Sequence, residues 1–298
     1  PRFRTYSAAS SAGRCRGLHN KIDERFYYSF NNPLFIRHLF LCRIYAKYIA
    51  MIFFTGLDNI SHASKVDYSF ISITRLARRK ADFECRTWIM DSGAFSQIFK
   101  AGDHSLSIKE YAELIKRWSR CGILVRAVSQ DYMCESFILD KLGRTVKDHQ
   151  GMTIDNYISL VKETKDLDVP IMPVLQGYDP EEYATHVKEY GTLLKENAWV
   201  GVGSVCKRNS NPESVINVLQ AILSVRPDLR LHGFGIKKTC LQDNSIRESL
   251  FSSDSMAWNF ACRMEGRNKE DYNEALKYKQ MIDTMPVQKN LFKIKETT

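Results

Sequence analysis

Eight short apolar runs, separated for most of the chain by stretches with helical spacing, constrain this sequence more than any other feature. The runs are residues 51–54, 69–73, 87–90, 123–128, 171–175, 199–202, 229–234 and 250–252. Continuous apolar runs of this length suit strands buried on both faces, as in parallel sheets. The stretches between them carry helix signals. Residues 107–120 open with Ser107 and Glu110 at capping-box spacing, and Tyr111, Leu114, Ile115 and Trp118 form one stripe. Residues 153–165 repeat the pattern with Ile154, Tyr157, Ile158 and Val161. Residues 180–195 begin at Pro180 and place Tyr183, Val187, Tyr190 and Leu194 on one side. Residues 211–225 begin Asn-Pro-Glu and carry Val215, Val218, Leu219 and Ile222, and a last helix is expected over 271–281. Strand–helix alternation repeated this often implies a parallel sheet, and eight strands favour closure into an α/β fold of the (β/α)8 TIM-barrel type. The first two units are the least defined, because the helix after the first run is poorly marked.

The barrel is expected over residues 51–298. Residues 1–50 differ: they hold nine Lys/Arg against Asp23 and Glu24, a net +7 that leaves only +2 of the chain's +9 for residues 51–298. They read as a basic N-terminal extension, either an upstream continuation of the reading frame before a natural start at Met51, or an arm that contacts phosphates; the first is preferred. The barrel region is nearly neutral, so global charge does not by itself argue for a nucleic-acid partner. Eight scattered cysteines, with no CxxC pair, argue against a disulfide framework and for a reducing, cytoplasmic setting. The most apolar stretch, 34–54, is broken by Arg37, His38, Arg43 and Lys47, which argues against a membrane span.

Polar and glycine residues stand where most runs end: Asp91-Ser92-Gly93-Ala94-Phe95 after the third, Gln130-Asp131 after the fourth, and Gln176-Gly177 after the fifth. Gly201-Val202-Gly203-Ser204 with Lys207-Arg208 closes the sixth, His232-Gly233-Phe234-Gly235 with Lys237-Lys238 the seventh, and Ser252-Ser253-Asp254-Ser255 the eighth. In a barrel these ends share one face, where such enzymes keep their chemistry. Taken singly, an Asp after a strand is more often a helix cap, and a Gly-x-Gly more often only eases a turn. Their coincidence on one face is what points to a site of three carboxylates, Asp91, Asp131 and Asp254, with the Gln176 amide.

The ordered set DSGAF, QD, LQG, GVGS, HGFG, SSDS resembles the tRNA-guanine transglycosylase superfamily over roughly residues 51–265, and within it the branch that inserts 7-deazaguanines into DNA. The resemblance implies that Asp254 is a covalent nucleophile and Asp91 a general acid/base. It implies that Ser92, Asp131, Gln176, Gly177, Gly201, Val202 and Gly203 surround the base. It also implies DNA-guanine exchange for a preQ0-like base through an aspartyl-glycosyl intermediate, with no cofactor. The chemistry is self-consistent: a carboxylate accepts from guanine N1–H and N2–H₂, and an amide donates to O6. A carboxylate nucleophile splits one displacement into two.

Lys207, Arg208, Lys237, Lys238 and Arg263 are candidates for phosphate contacts, and Tyr132, Tyr178, Phe234 and Trp258 for stacking, although for any one of these four rings wall packing is the commoner use. The tRNA enzymes carry a zinc site after the nucleophile; here only Cys262 and no histidine follow Asp254, so no metal and no zinc-binding subdomain are expected. Ala94 and Ser96 also depart from the tRNA enzymes' pattern. DNA is therefore the expected substrate, with tRNA the nearest alternative. A phosphate-site barrel acting on a small sugar phosphate and a barrel that only binds nucleic acid are the other readings. A helper of ATPase or helicase type that opens the duplex is a candidate partner.

Overall fold

The computed structural model describes residues 51–208 and 210–286. The expectations for residues 1–50 lie outside the described residues. Strands β1 (Ile52–Leu57), β2 (Tyr68–Ser72), β3 (Thr87–Asp91), β4 (Ile123–Val128), β5 (Ile171–Met172), β6 (Val174–Leu175), β7 (Trp199–Val202), β8 (Arg230–Gly233) and β9 (Ser252–Ser255) are all parallel. Their order is β5-β4-β3-β2-β1-β9-β8-β7-β6. β5 and β6 are halves of the single expected fifth run, split at Pro173. Proline donates no ladder hydrogen bond. The half before it pairs with β4 and the half after it with β7, and Gly201 N–H instead reaches the Pro173 carbonyl at 2.9 Å. The ring is thus an α/β TIM-type barrel, joined at this point through the chain itself.

The helices are α1 (Ile73–Leu76), α2 (Ala94–Ala101), α3 (Ile108–Trp118), α4 (Ser136–Leu142), α5 (Val146–Glu163), α6 (Pro180–Tyr190), α7 (Pro212–Val225), α8 (Lys238–Leu241), α9 (Asn244–Ser249), α10 (Ala257–Met264) and α11 (Tyr272–Asp283). The capping box at Ser107 and Glu110 forms as expected, and Asn211 and Asp271 cap α7 and α11. α5 starts seven residues before the expected 153, because Thr145 and Asp148 cap each other there. The poorly marked first unit has only a short 3-10 helix, Ile60–Lys65, after β1.

The strands alternate faces. Phe54, Ile89, Val128, Met172 and Val174 point inward and pack with Phe70, Trp199 and Phe234 to fill the barrel. Phe53, Leu57, Trp88, Met90, Val200 and Leu231 point outward and pack within the helical layer. The largest departure from expectation is β9. The apolar run ends at Ser252, yet the strand covers Ser252–Ser255, so Asp254 lies within the strand, beside Phe54 of β1. Four polar residues look like a turn in sequence. In the barrel their backbones are satisfied by β1 and β8, and all four side chains are buried.

Candidate active site

Asp91 is the last residue of β3, and the chain then turns sharply into α2. Gly93 makes the turn in the left-handed region (φ 72°) and its N–H donates to Asp91 Oδ2 at 3.1 Å. Gln97, on the next turn, ties the motif down by donating to Ser92 O at 2.7 Å. Asp131, just after β4, accepts at Oδ2 from Gln176 Nε2 at 2.5 Å and at Oδ1 from Ser92 Oγ at 3.4 Å. Ser204 Oγ lies 2.8 Å from Gln176 Oε1 and 3.0 Å from Glu135 Oε2, and accepts from Cys134 N–H at 3.1 Å. Three loops, after β4, β6 and β7, therefore meet at one polar knot. Ser204 adopts φ 55°, an uncommon conformation for a non-glycine residue that this knot holds in place.

The carboxylates feel one another. Burial, and next the charge of Asp254, push the Asp91 carboxyl up to about 6, against hydrogen bonds from Ser72, Gly93 and Ser92. Burial pushes Asp131 up to about 7; its bond from Gln176 opposes the shift, and the charges of Asp91 and Glu135 add to it. Burial likewise raises Glu135. Asp91, Asp131 and Asp254 thus belong to one electrostatic cluster at the strand ends. A carboxyl group near 6 can both give and take a proton at neutral pH.

The backbone around the knot is clamped. His186 Nδ1 accepts from Gln176 N–H at 2.9 Å, and Gln150 Nε2 donates to Gln176 O at 2.7 Å. His104 Nε2 bonds Asp131 O at 3.0 Å. Gly203 and Gly201 are required by close approach. A Cβ on Gly203 would stand 2.1 Å from Gln176 Nε2, and one on Gly201 would stand 2.3 Å from the Phe234 ring. Val202, between them, points away into the helical layer, and Gly177 lies against the Tyr183 ring of α6.

Of the basic candidates, Lys207 Nζ lies 4.8 Å from the centre of the Phe95 ring. Arg208 stacks on Tyr178 at 5.0 Å and bonds the Tyr178 carbonyl and Ser214, so it is tied to the protein. Lys237 and Arg263 both approach the Phe260 ring, at 5.9 and 5.8 Å, while Lys238 Nζ turns to Met281 of α11. Of the aromatic candidates, Tyr132 is buried and donates to Asp103, and Trp258 is buried and donates to Gly56 O. Phe234 packs inside the barrel, and Tyr178 is exposed.

Sequence reasoning missed several residues. Ser204 stood at the end of the sixth run without a role, and Glu135 lies just beyond Asp131 after the fourth. His104, Gln150 and His186 act on backbone atoms, which no short motif signals. It also missed a shelf on the rim. Phe95 and Phe99 stack in parallel (6.2 Å, 3° between planes), with Phe137 edge-on to Phe99 at 6.1 Å. These three rings are 41–49 % exposed, and Lys141 sits 5.5 Å from the Phe99 ring. A detectable signal was Phe95 and Phe99 at i, i+4 on a helix that begins beside Asp91. Beyond Asp254 the chain forms α10 and α11, where Cys262 is buried between Arg267 and Glu274.

An acidic cluster with a buried amide, at the strand ends of a (β/α) barrel, is the arrangement that the resemblance to the transglycosylase superfamily implies. A family model described as "DpdA: DeoxyPurine in DNA protein A" matches residues 53–271, and the chain belongs to that family. No curated protein matches it.

Proposed function

We propose that the protein is a DNA-guanine transglycosylase that exchanges guanine in DNA for a preQ0-like 7-deazaguanine through an ester between Asp254 and the deoxyribose C1′. The observation that carries this reading is the coupling of Asp91 to both Asp254 and Asp131, with Asp131 held by Gln176. The nucleophile, the acid and the base reader then occupy one site. In the first step an Asp254 oxygen attacks C1′, and the electron pair of the C1′–N9 bond leaves with guanine, which takes a proton from the Asp91 carboxyl. In the second, the incoming base loses its N9 proton to Asp91, its nitrogen attacks C1′, and the ester bond breaks to restore the Asp254 carboxylate. Asp131 accepts from guanine N1–H and N2–H₂, and Gln176 donates to O6. Labelled guanine should exchange into DNA and not into tRNA. Exchange into tRNA alone would replace the substrate assignment.

Gly203→Ala should test the reader. Its Cβ would displace the Gln176 amide from Asp131. The KM for guanine should rise about tenfold or more, and the melting temperature should fall by several degrees, since moving the amide breaks its buried bonds to Asp131 and Ser204. An unchanged KM would remove Gln176 from the reader.

A base within a duplex must be unstacked to reach such a site. The Phe95–Phe99–Phe137 shelf, with Lys141 and Lys207 over its rings, suits unpaired bases flanking the target. Changing Phe95 and Phe99 together to Ala should weaken single-stranded DNA binding by about tenfold or more, with the salt dependence unchanged, because stacking and not charge is lost. Fluorescence anisotropy across a salt series checks this. Unaltered affinity would leave the shelf to another partner.

A further inference from the structure

His232 of β8 is fully buried beneath the carboxylate cluster, and it is bonded at both ring nitrogens. Its Nδ1 lies 2.8 Å from Ser252 Oγ, and its Nε2 lies 3.3 Å from Asp254 Oδ1. Ser252 Oγ in turn accepts from Trp199 Nε1–H at 2.8 Å. An indole nitrogen only donates. Ser252 therefore accepts from Trp199 and has its own hydrogen to give, and the acceptor in reach is His232 Nδ1. A ring that accepts at Nδ1 carries its hydrogen on Nε2, which aims it at Asp254 Oδ1. Phe70 stacks on the imidazole at 5.4 Å and Phe234 meets it edge-on at 4.9 Å, so the ring has no room to turn. Gly235 N–H donates to the same Oδ1 at 2.9 Å. Oδ1 thus holds two donors, while Oδ2 has no hydrogen bond among the described residues.

We propose that the Trp199–Ser252–His232 relay is a positioning device for Asp254: it anchors Oδ1, leaves Oδ2 to attack C1′, and stabilises the carboxylate as it leaves in the second step. The inference rests on the nucleophile reading above and assigns its oxygens. After attack, Oδ2 is the ester oxygen and Oδ1 the carbonyl oxygen. When the incoming base's nitrogen displaces the C1′–Oδ2 bond, its electron pair returns to the carboxyl group, and charge grows on Oδ1. Two fixed donors at Oδ1 favour that departure over ester formation, in which charge on Asp254 is lost. Removing His232's donor should therefore slow ester breakdown more than ester formation.

The test uses the full chain, a guanine-containing single-stranded oligonucleotide and guanine as the incoming base, and measures the denaturant-stable protein–DNA adduct over time. In His232→Leu the adduct should persist, with breakdown about 10- to 100-fold slower than in wild type. His232→Gln, whose amide N–H can take the place of Nε2–H, should restore breakdown to within a few-fold. Ser252→Ala, which releases the tautomer, should fall between. Breakdown in His232→Leu at the wild-type rate, or His232→Gln no faster than His232→Leu, overturns the relay while leaving Asp254 as nucleophile. If His232→Leu does not fold, the order wild type, His232→Gln, Ser252→Ala still decides, and equal breakdown in all three overturns the proposal. A wild-type protein that forms no adduct, or an Asp254→Asn variant that forms as much, overturns the nucleophile reading and the relay with it.

Discussion

Asp254→Asn should abolish base exchange, by about 10⁴-fold or more, while DNA binding and folding persist. The substitution is nearly isosteric. An Asn oxygen can keep the bonds from Gly235 N–H and His232 Nε2 that hold Oδ1 in place. What is lost is the attacking oxygen, since an amide nitrogen is a poor nucleophile. A second effect separates this account from simple damage. The charge of Asp254 is, after burial, the larger cause of the raised Asp91 carboxyl. Without it, Asp91 should titrate below about 6, visible as a downfield carboxyl carbon shift that begins at lower pH. Exchange at wild-type rates, or an unmoved Asp91 titration, would contradict the assignment.

Asp131→Asn should cost base selection and at the same time stabilise the fold above pH 7. Asp131 is pushed from 3.8 up to about 7 by burial. The folded state therefore holds a proton between about pH 4 and 7 that the unfolded chain releases. Stability from this group is present below pH 4, declines as pH rises through that window, and is gone above 7, a change of at most about 4 kcal/mol. Asn has no such dependence. The variant should melt close to wild type at pH 4 and several degrees higher at pH 8. Selection moves the other way, because guanine's N1–H and N2–H₂ need an ionised acceptor. Wild-type affinity for guanine should rise as pH approaches 7 and level off above it, and the variant should lose both affinity and slope. Calorimetric melts and guanine titrations at several pH values read both effects. A variant less stable than wild type at pH 8 would place the cost of Asp131 elsewhere.

The barrel was legible because buried parallel strands are apolar along their whole length, and the caps at Ser107, Asn211 and Asp271 are local signals. Two strands were misread for physical reasons. Pro173 splits a run that looks continuous, and the Ser252–Ser255 strand is polar because its inner face bonds His232 and Trp199. Asp91, Asp131, Gln176 and Asp254 stood out as polar ends of apolar runs. Ser204, Glu135 and His232 gained no role there, since their partners lie 20 to 70 residues away in sequence. Such pairings depend on which strands become neighbours, and only the closed ring decides that.

The most direct measurement is the site of the covalent bond to DNA. Wild-type protein is incubated with a guanine-containing oligonucleotide without an incoming base, denatured, digested with nuclease and trypsin, and analysed by mass spectrometry. The peptide from Glu248 to Arg263 should carry a deoxyribose nucleotide lacking its guanine, with fragment ions placing it on Asp254. Base exchange with that peptide unmodified, or a sugar attached to another residue, would contradict the account.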